Sequence, residues 1–139
     1  MKYYYFICTL LGVFVTTCSA QIAVIVNNSN HTVKIAPSSL KDIYLLSTLK
    51  WSDGTNIAVF DNREQSIHKK FFDFIGIRDI ITVKKQWMRF QLSGEARAPE
   101  AVNGDDKMLS KVASTPGAVG YVKLSKIKNN DVKVIAKID

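Results

Sequence analysis

The side chains best placed to act together lie in the run Asp61-Asn62-Arg63-Glu64-Gln65-Ser66-Ile67-His68. The chemistry they suit is the holding of an anion. Arg63 offers a planar fork of N–H donors that matches a phosphate or a carboxylate. Ser66 opens a segment to Ile75 in which Ile67, Phe71, Phe74 and Ile75 recur at helical spacing. The first backbone N–H groups of such a helix have no internal partner, and the helix dipole adds partial positive charge there. His68 falls in the same first turn and adds a ring donor. The plainer alternative makes Ser66 only a helix cap and Arg63 a solvated cation, and the residues alone favour it, because this loop pattern is common. Asn27 and Ser29 form a secondary candidate set, in the polar turn Asn27-Asn28-Ser29-Asn30 at the end of an apolar strand, where a plain loop is the competing reading.

Catalytic patterns are missing. His31 and His68 stand in no metal-ligand spacing, and G-x-S-x-G does not occur. Asp105 and Asp106 are adjacent, so on a helix they diverge instead of converging as an acid–base pair. The glycines form no nucleotide-binding fingerprint. No catalytic residue, metal ligand or cofactor is expected, and the chain reads as a non-enzyme. The formal charge of +7 comes from dispersed lysines, without the clustered stripe and interleaved aromatics of a nucleic-acid binder. It signifies solvation with a mild preference for anions.

The elements that must position these groups are legible in order. Lys2, the apolar run Tyr3 to Val15, and small residues at Cys18 and Ala20 read as a secretory signal peptide over residues 1–20, cut before Gln21. An uncleaved anchor is the second choice and lipid attachment at Cys18 the third. Both cysteines lie in this leader, so the exported domain, residues 21–139, must be held by its core alone. Ile22 to Val26 is an unbroken apolar run, as in a strand covered on both faces. A helix starts at Pro37 with Ser38 or Ser39 as cap and Leu40, Ile43, Tyr44 and Leu46 buried. The Asp53-Gly54 turn leads into a strand over Ile57 to Phe60. After the Ser66 helix, Arg78 to Leu92 carries Ile80, Ile81, Val83, Trp87, Met88 and Phe90 along a longer helix that Gly94 ends. Glu95 to Ala101 is extended. Asn103 caps a helix with Met108, Leu109 and Val112 inward, Ser114-Thr115-Pro116-Gly117 stops it, and strands over Ala118 to Val122 and Val132 to Ile138 follow.

Several of these segments, taken together, resemble the substrate-binding proteins of phosphate ABC transporters. They are Ile22 to Asn27, Leu40-Lys41-Asp42-Ile43-Tyr44, Trp51-Ser52-Asp53-Gly54-Thr55, Asn62-Arg63 with Ser66 and Phe71-Phe72, Trp87 with Phe90 and Ser93-Gly94, and above all Ser114 to Val122. The short members with a single such domain are the nearest in kind. The resemblance implies an α/β fold like the type II periplasmic binding proteins, a mixed sheet flanked by helices, truncated relative to the full two-lobed form. It further implies a periplasmic or secreted module that binds phosphate or a similar oxyanion for ABC-type uptake. By position the ligand residues would be Asn62, Arg63, Ser66, Ile67 and His68, the last two standing where the family often has glycine and threonine. The stretch that in full-length members precedes Ile22, with a phosphate loop of its own, has no counterpart here. An ABC permease, and a homodimer or partner chain completing the site, are the implied partners. A non-transporting accessory module that kept the fold and lost tight ligand binding is the alternative.

Overall fold

The structure, a computed structural model, describes residues 20–139, so the expected leader lies outside the described residues except for Ala20. Five strands make one mixed sheet: β1 (Ile22–Asn27), β2 (Ala58–Asn62), β3 (Glu100–Val102), β4 (Ala118–Lys123) and β5 (Val132–Ile138), in the order β3-β2-β4-β1-β5. β2 runs parallel to β3 and β4, whereas β1 is antiparallel to β4 and β5. Four helices cover the sheet: α1 (Pro37–Tyr44), α2 (Gln65–Phe74), α3 (Ile80–Ser93) and α4 (Asp105–Ser114).

The unbroken apolar run of β1 is explained by cover on both faces, and all six residues are buried. Val24 and Val26 join Leu40, Tyr44, Phe71, Trp87 and Tyr121 in a core beneath α1, α2 and α3. Ala23 and Ile25 point the other way and pack with Met108 and Val112 of α4. Alternation along one strand thus serves two separate cores. An aromatic cluster anchors the larger one: Phe71 stacks on Tyr121 at 3.8 Å between ring centroids, and Tyr44 meets Phe71 edge-on at 4.9 Å. Trp87 Nε1 donates to the Tyr44 carbonyl at 2.7 Å, tying α3 to α1.

The Ser-Thr-Pro-Gly segment has a backbone reason. Gly117 lies at φ +78°, where a side chain is strained, and a Cβ there would overlap the Asn56 carbonyl oxygen. The Gly117 carbonyl accepts from Trp51 Nε1 at 2.9 Å and from the Ala58 N–H at 3.0 Å. This one residue therefore fixes where β2 begins beside β4.

Three expected caps are not the caps observed. α1 starts from Ala36 with Pro37 in its first turn, α2 from Glu64, and α4 from Gly104 at φ +100°. Pro37 has no N–H to cap, and its fixed φ sets the start without Ser38 or Ser39. α3 begins at Asp79, whose carboxylate accepts from the Thr82 N–H at 3.1 Å. The Thr82 hydroxyl, donating to Asp79 Oδ2 at 2.6 Å, and then the Thr82 N–H hold the Asp79 carboxyl below its usual range. Within α3 only Val83 and Trp87 are buried, while Ile81, Met88 and Leu92 face out. β3 emerges from the segment expected to be merely extended.

Candidate functional site

Parallel strands bring their carboxyl ends to one edge of a sheet, and ligands of open α/β folds bind outside that edge. Here β2 and β3 end at Asn62 and Val102, and α2 and α4 start just beyond them. The Arg63 N–H donates to the Val102 carbonyl at 2.9 Å, holding the turn after β2 against the end of β3.

The expected ligand residues divide sharply by burial. Arg63 and Ser66 are exposed, His68 is half-buried, and Asn62 and Ile67 are fully buried. The Asn62 amide is engaged inside the protein. Its Nδ2 donates to Asp105 Oδ1 at 2.7 Å and to the Tyr121 carbonyl at 2.9 Å, and its Oδ1 accepts from the Glu64 N–H at 2.9 Å. Asn62 thus shapes the turn by joining β2, β4, α2 and α4. Ile67 turns its side chain into the larger core. The Ser66 hydroxyl donates to Glu64 Oε1 at 3.2 Å and not to the helix end. The Ile67 and His68 N–H groups are taken by the Glu64 carbonyl, at 3.1 and 3.0 Å. Among the described residues, the Gln65 and Ser66 N–H groups have no acceptor and remain available beside Arg63.

Beneath this turn lies a buried carboxylate that sequence reasoning passed over as a strand end. Asp61 Oδ1 accepts from the Tyr121 hydroxyl at 2.7 Å and sits 3.4 Å from His68 Nε2. The Tyr121 hydroxyl also lies 2.9 Å from the Asn62 carbonyl oxygen. Burial first, and then the Asp61 charge, pushes the Tyr121 phenol far above its ordinary range. Tyr44 is raised for the same two reasons, in the same order. Both phenols are therefore permanent donors at neutral pH. Asp61 itself has no sequence signal beyond its place at the end of a strand.

Asn27 and Ser29 lie at the opposite edge of the sheet from Arg63, because β1 runs antiparallel to β4 and Val26 pairs with Val119. Asn27 Nδ2 donates to the Val112 and Ala113 carbonyls at 3.0 and 3.1 Å, and its Oδ1 accepts from the Ser29 N–H and hydroxyl at 3.0 and 2.7 Å. It closes the carboxyl end of α4, whose last carbonyls would otherwise be orphaned.

Next to Arg63 opens a cleft of about 330 Å³ between α3 and β3, lined among others by Asp61, Arg63, Lys84, Trp87, Met88 and Pro99. Lys84 is brought there by tertiary packing alone. Among the described residues no three His, Cys, Asp or Glu side chains are grouped to hold a metal ion, and no helix is long and apolar enough to cross a membrane. The arrangement supplies one guanidinium and two helix-start N–H groups at an open surface, with the Glu64 carboxylate close by.

No family model and no curated protein matches this sequence. Solved structures do match its fold. A phosphate ABC transporter substrate-binding protein from Clostridium perfringens, with bound phosphate, superposes with a TM-score of 0.67 at 18% identity, over 84% of this chain and 45% of that one. An ABC-type phosphate transport receptor from Vibrio cholerae gives 0.63 at 19% identity, over 84% and 47%. PstS from Borrelia burgdorferi gives 0.58 at 19% identity, also over 84% and 47%. The chain spans under half the length of these proteins, and the likeness establishes the fold: a mixed sheet flanked by helices, as in the matched part of these phosphate-transport proteins.

Proposed function

We propose that this chain is an exported solute-binding module that holds phosphate or a similar oxyanion weakly at the turn between β2 and α2, in the service of ABC-type uptake. The observation that carries the reading is the placement of exposed Arg63 beside the free Gln65 and Ser66 N–H groups, at the carboxyl edge of the parallel strands. The fold shared with phosphate-binding proteins supports it. Arg63 supplies the charge-assisted donors, and the helix start supplies two more.

Magnitudes set the affinity. Charge-assisted hydrogen bonds are worth about 1.5–3 kcal/mol each. Two or three of them, less the cost of association, leave a Kd of roughly millimolar to high micromolar. Tight capture would need donors from a second body, either a partner chain or a second copy, closing over the turn. A permease is the natural recipient of the bound anion. Export follows from the leader read at residues 1–20, and the chemistry is binding without turnover.

One observation favours a second reading. Ile67 is buried and the Ser66 hydroxyl is turned to Glu64, so two of the positions matched to ligand contacts face away from the anion. On that reading the fold serves an accessory protein contact and the oxyanion site is vestigial. Calorimetric titration of the folded protein with phosphate at physiological salt, with sulfate as control, separates the two. Saturable phosphate binding that Arg63→Ala weakens about tenfold or more supports the solute-binding module. Absence of heat, or binding indifferent to Arg63→Ala, refutes it.

A further inference from the structure

The face of α3 turned away from the core carries three large apolar side chains that the described residues leave uncovered: Ile81, Met88 and Leu92, at 68%, 65% and 82% exposure. At 100° per residue these three positions fall within about 40° of one another, so they form one stripe. Over eleven residues the stripe runs roughly 16 Å along the helix. Its end at Met88 and Leu92 opens into the cleft against Pro99 and Ala101, with Arg63 also lining it. Single exposed apolar residues need no explanation, but an aligned stripe continuous with a cleft does.

The borders of the stripe are uniformly basic. Lys84 stands on one side and Lys85 and Arg89 on the other, and α3 contains no acidic residue from Ile80 to Ser93. The acids nearby are committed elsewhere: Asp79 to Thr82, Asp61 to Tyr121, and Glu100 to Lys111 at 2.5 Å. The face therefore presents an apolar strip bordered by three cations, of which Lys85 feels the charge of Asp79 at the start of the helix. We propose that it docks an acidic amphipathic helix of a partner protein, its apolar anchors lying along Ile81, Met88 and Leu92 and its carboxylates meeting Lys84, Lys85 and Arg89. Three features select that occupant. The stripe is longer than a small molecule and matches a helix laid in a groove with anchors at i, i+3, i+4 and i+7. A second copy of this chain would bring the same cations to the same face, under a formal charge of +7. An acidic helix complements both the apolar strip and its borders. The inference goes beyond the oxyanion site, because the stripe residues take no part in it.

The test uses two fluorescent helical peptides with the same leucine anchors, one flanked by glutamates and the other by lysines. Anisotropy titration at physiological salt is expected to show saturable binding of the acidic peptide, roughly tenfold or more tighter than the basic one. Met88→Gln combined with Leu92→Gln replaces two exposed side chains with uncharged ones, so the fold is retained and no charge is added to the cleft that Arg63 also lines, and circular dichroism checks the fold. This double variant is expected to weaken the acidic peptide at least about tenfold while leaving phosphate titration unchanged. No saturable binding, equal binding of both peptides, or indifference to the double variant overturns the proposal. So does a concentration-dependent dimer in sedimentation that the double variant abolishes, which would assign the face to a second copy.

Discussion

Replacing Asn62 tests whether this buried amide is architecture or ligand contact. Asn62→Ala deletes a charge-assisted bond to Asp105 and a neutral bond to the Tyr121 carbonyl, both buried, and a part-buried neutral bond to the Glu64 N–H. At about 1 kcal/mol for each neutral bond and about 1.5–3 for the charged one, the loss is about 3.5–5 kcal/mol. Two of the three groups left behind, the Asp105 carboxylate and the Tyr121 carbonyl, are in buried bonds away from bulk water, which keeps the estimate from shrinking. Against a typical domain stability of about 5–15 kcal/mol this is a large share. Urea denaturation followed by circular dichroism should show a lower midpoint with an unchanged slope, the sign of a folded-state effect. Asn62→Asp sharpens the test, because it keeps the shape and turns a donor into an acceptor facing Asp105. A carboxylate at position 62 would hold its proton more tightly in the folded state than unfolded. Its variant is therefore closest to the parent below about pH 3.9 and loses stability as pH rises above that value. A loss under about 1 kcal/mol for Asn62→Ala, or an Asn62→Asp penalty that shrinks as pH rises, would refute the reasoning.

Gly117→Ala should cost about 2–4 kcal/mol in the same assay, since it adds left-handed strain and a clash with the rigid Asn56 carbonyl. Gly120→Ala meets mainly the flexible end of Met108 and should cost less; the reverse order would mean that the Gly117 turn is not what registers β2. At alkaline pH, Tyr44 and Tyr121 stay protonated in the folded state while the unfolded chain releases both protons above about pH 10. Stability is thus fully present below that pH and falls above it, by up to about 1.4 kcal/mol per pH unit for each tyrosine. Tyr121→Phe should halve the slope of urea midpoint against pH between 10 and 11.5, and a flat profile in the parent would contradict the burial argument.

Periodicity carried the elements. The helical spacings at Leu40 and Ile67 and the short apolar runs at Ile22 and Val132 each lie where their pattern points. Boundaries failed where a side chain or strand outside the element settled them. Ser66 is a good cap by composition, yet the Asn62 amide takes the Glu64 N–H and starts the helix earlier. β3 is three residues long beside Pro99 and exists because β2 offers it an edge, which its own sequence does not announce. In the candidate site, the place of Arg63 at the turn was legible because a cation leaving a strand before a helix is a local pattern. The roles of Asp61, Asn62 and Tyr121 were not, since each depends on partners from other elements. The apolar residues of α3 show the limit of counting: Ile81 and Met88 keep helical spacing but on the wrong face.

The central strand carries a consequence for the order of events in folding. β1 comes first in the described chain, but both of its neighbours, β4 and β5, come from the far end, with Ile22 beside Lys123 and Ile138. A chain emerging amino end first therefore holds six strand-forming residues, five of them apolar, without a pairing partner until β4 and β5 have been synthesised. Pairings this distant in sequence are slow to close. The native sheet cannot close around β1 until β4 and β5 have both been made, which leaves a window in which a chaperone meets an extended chain instead of a folded one. The same window makes Ile22–Asn27 the segment most exposed to misassociation between newly made copies.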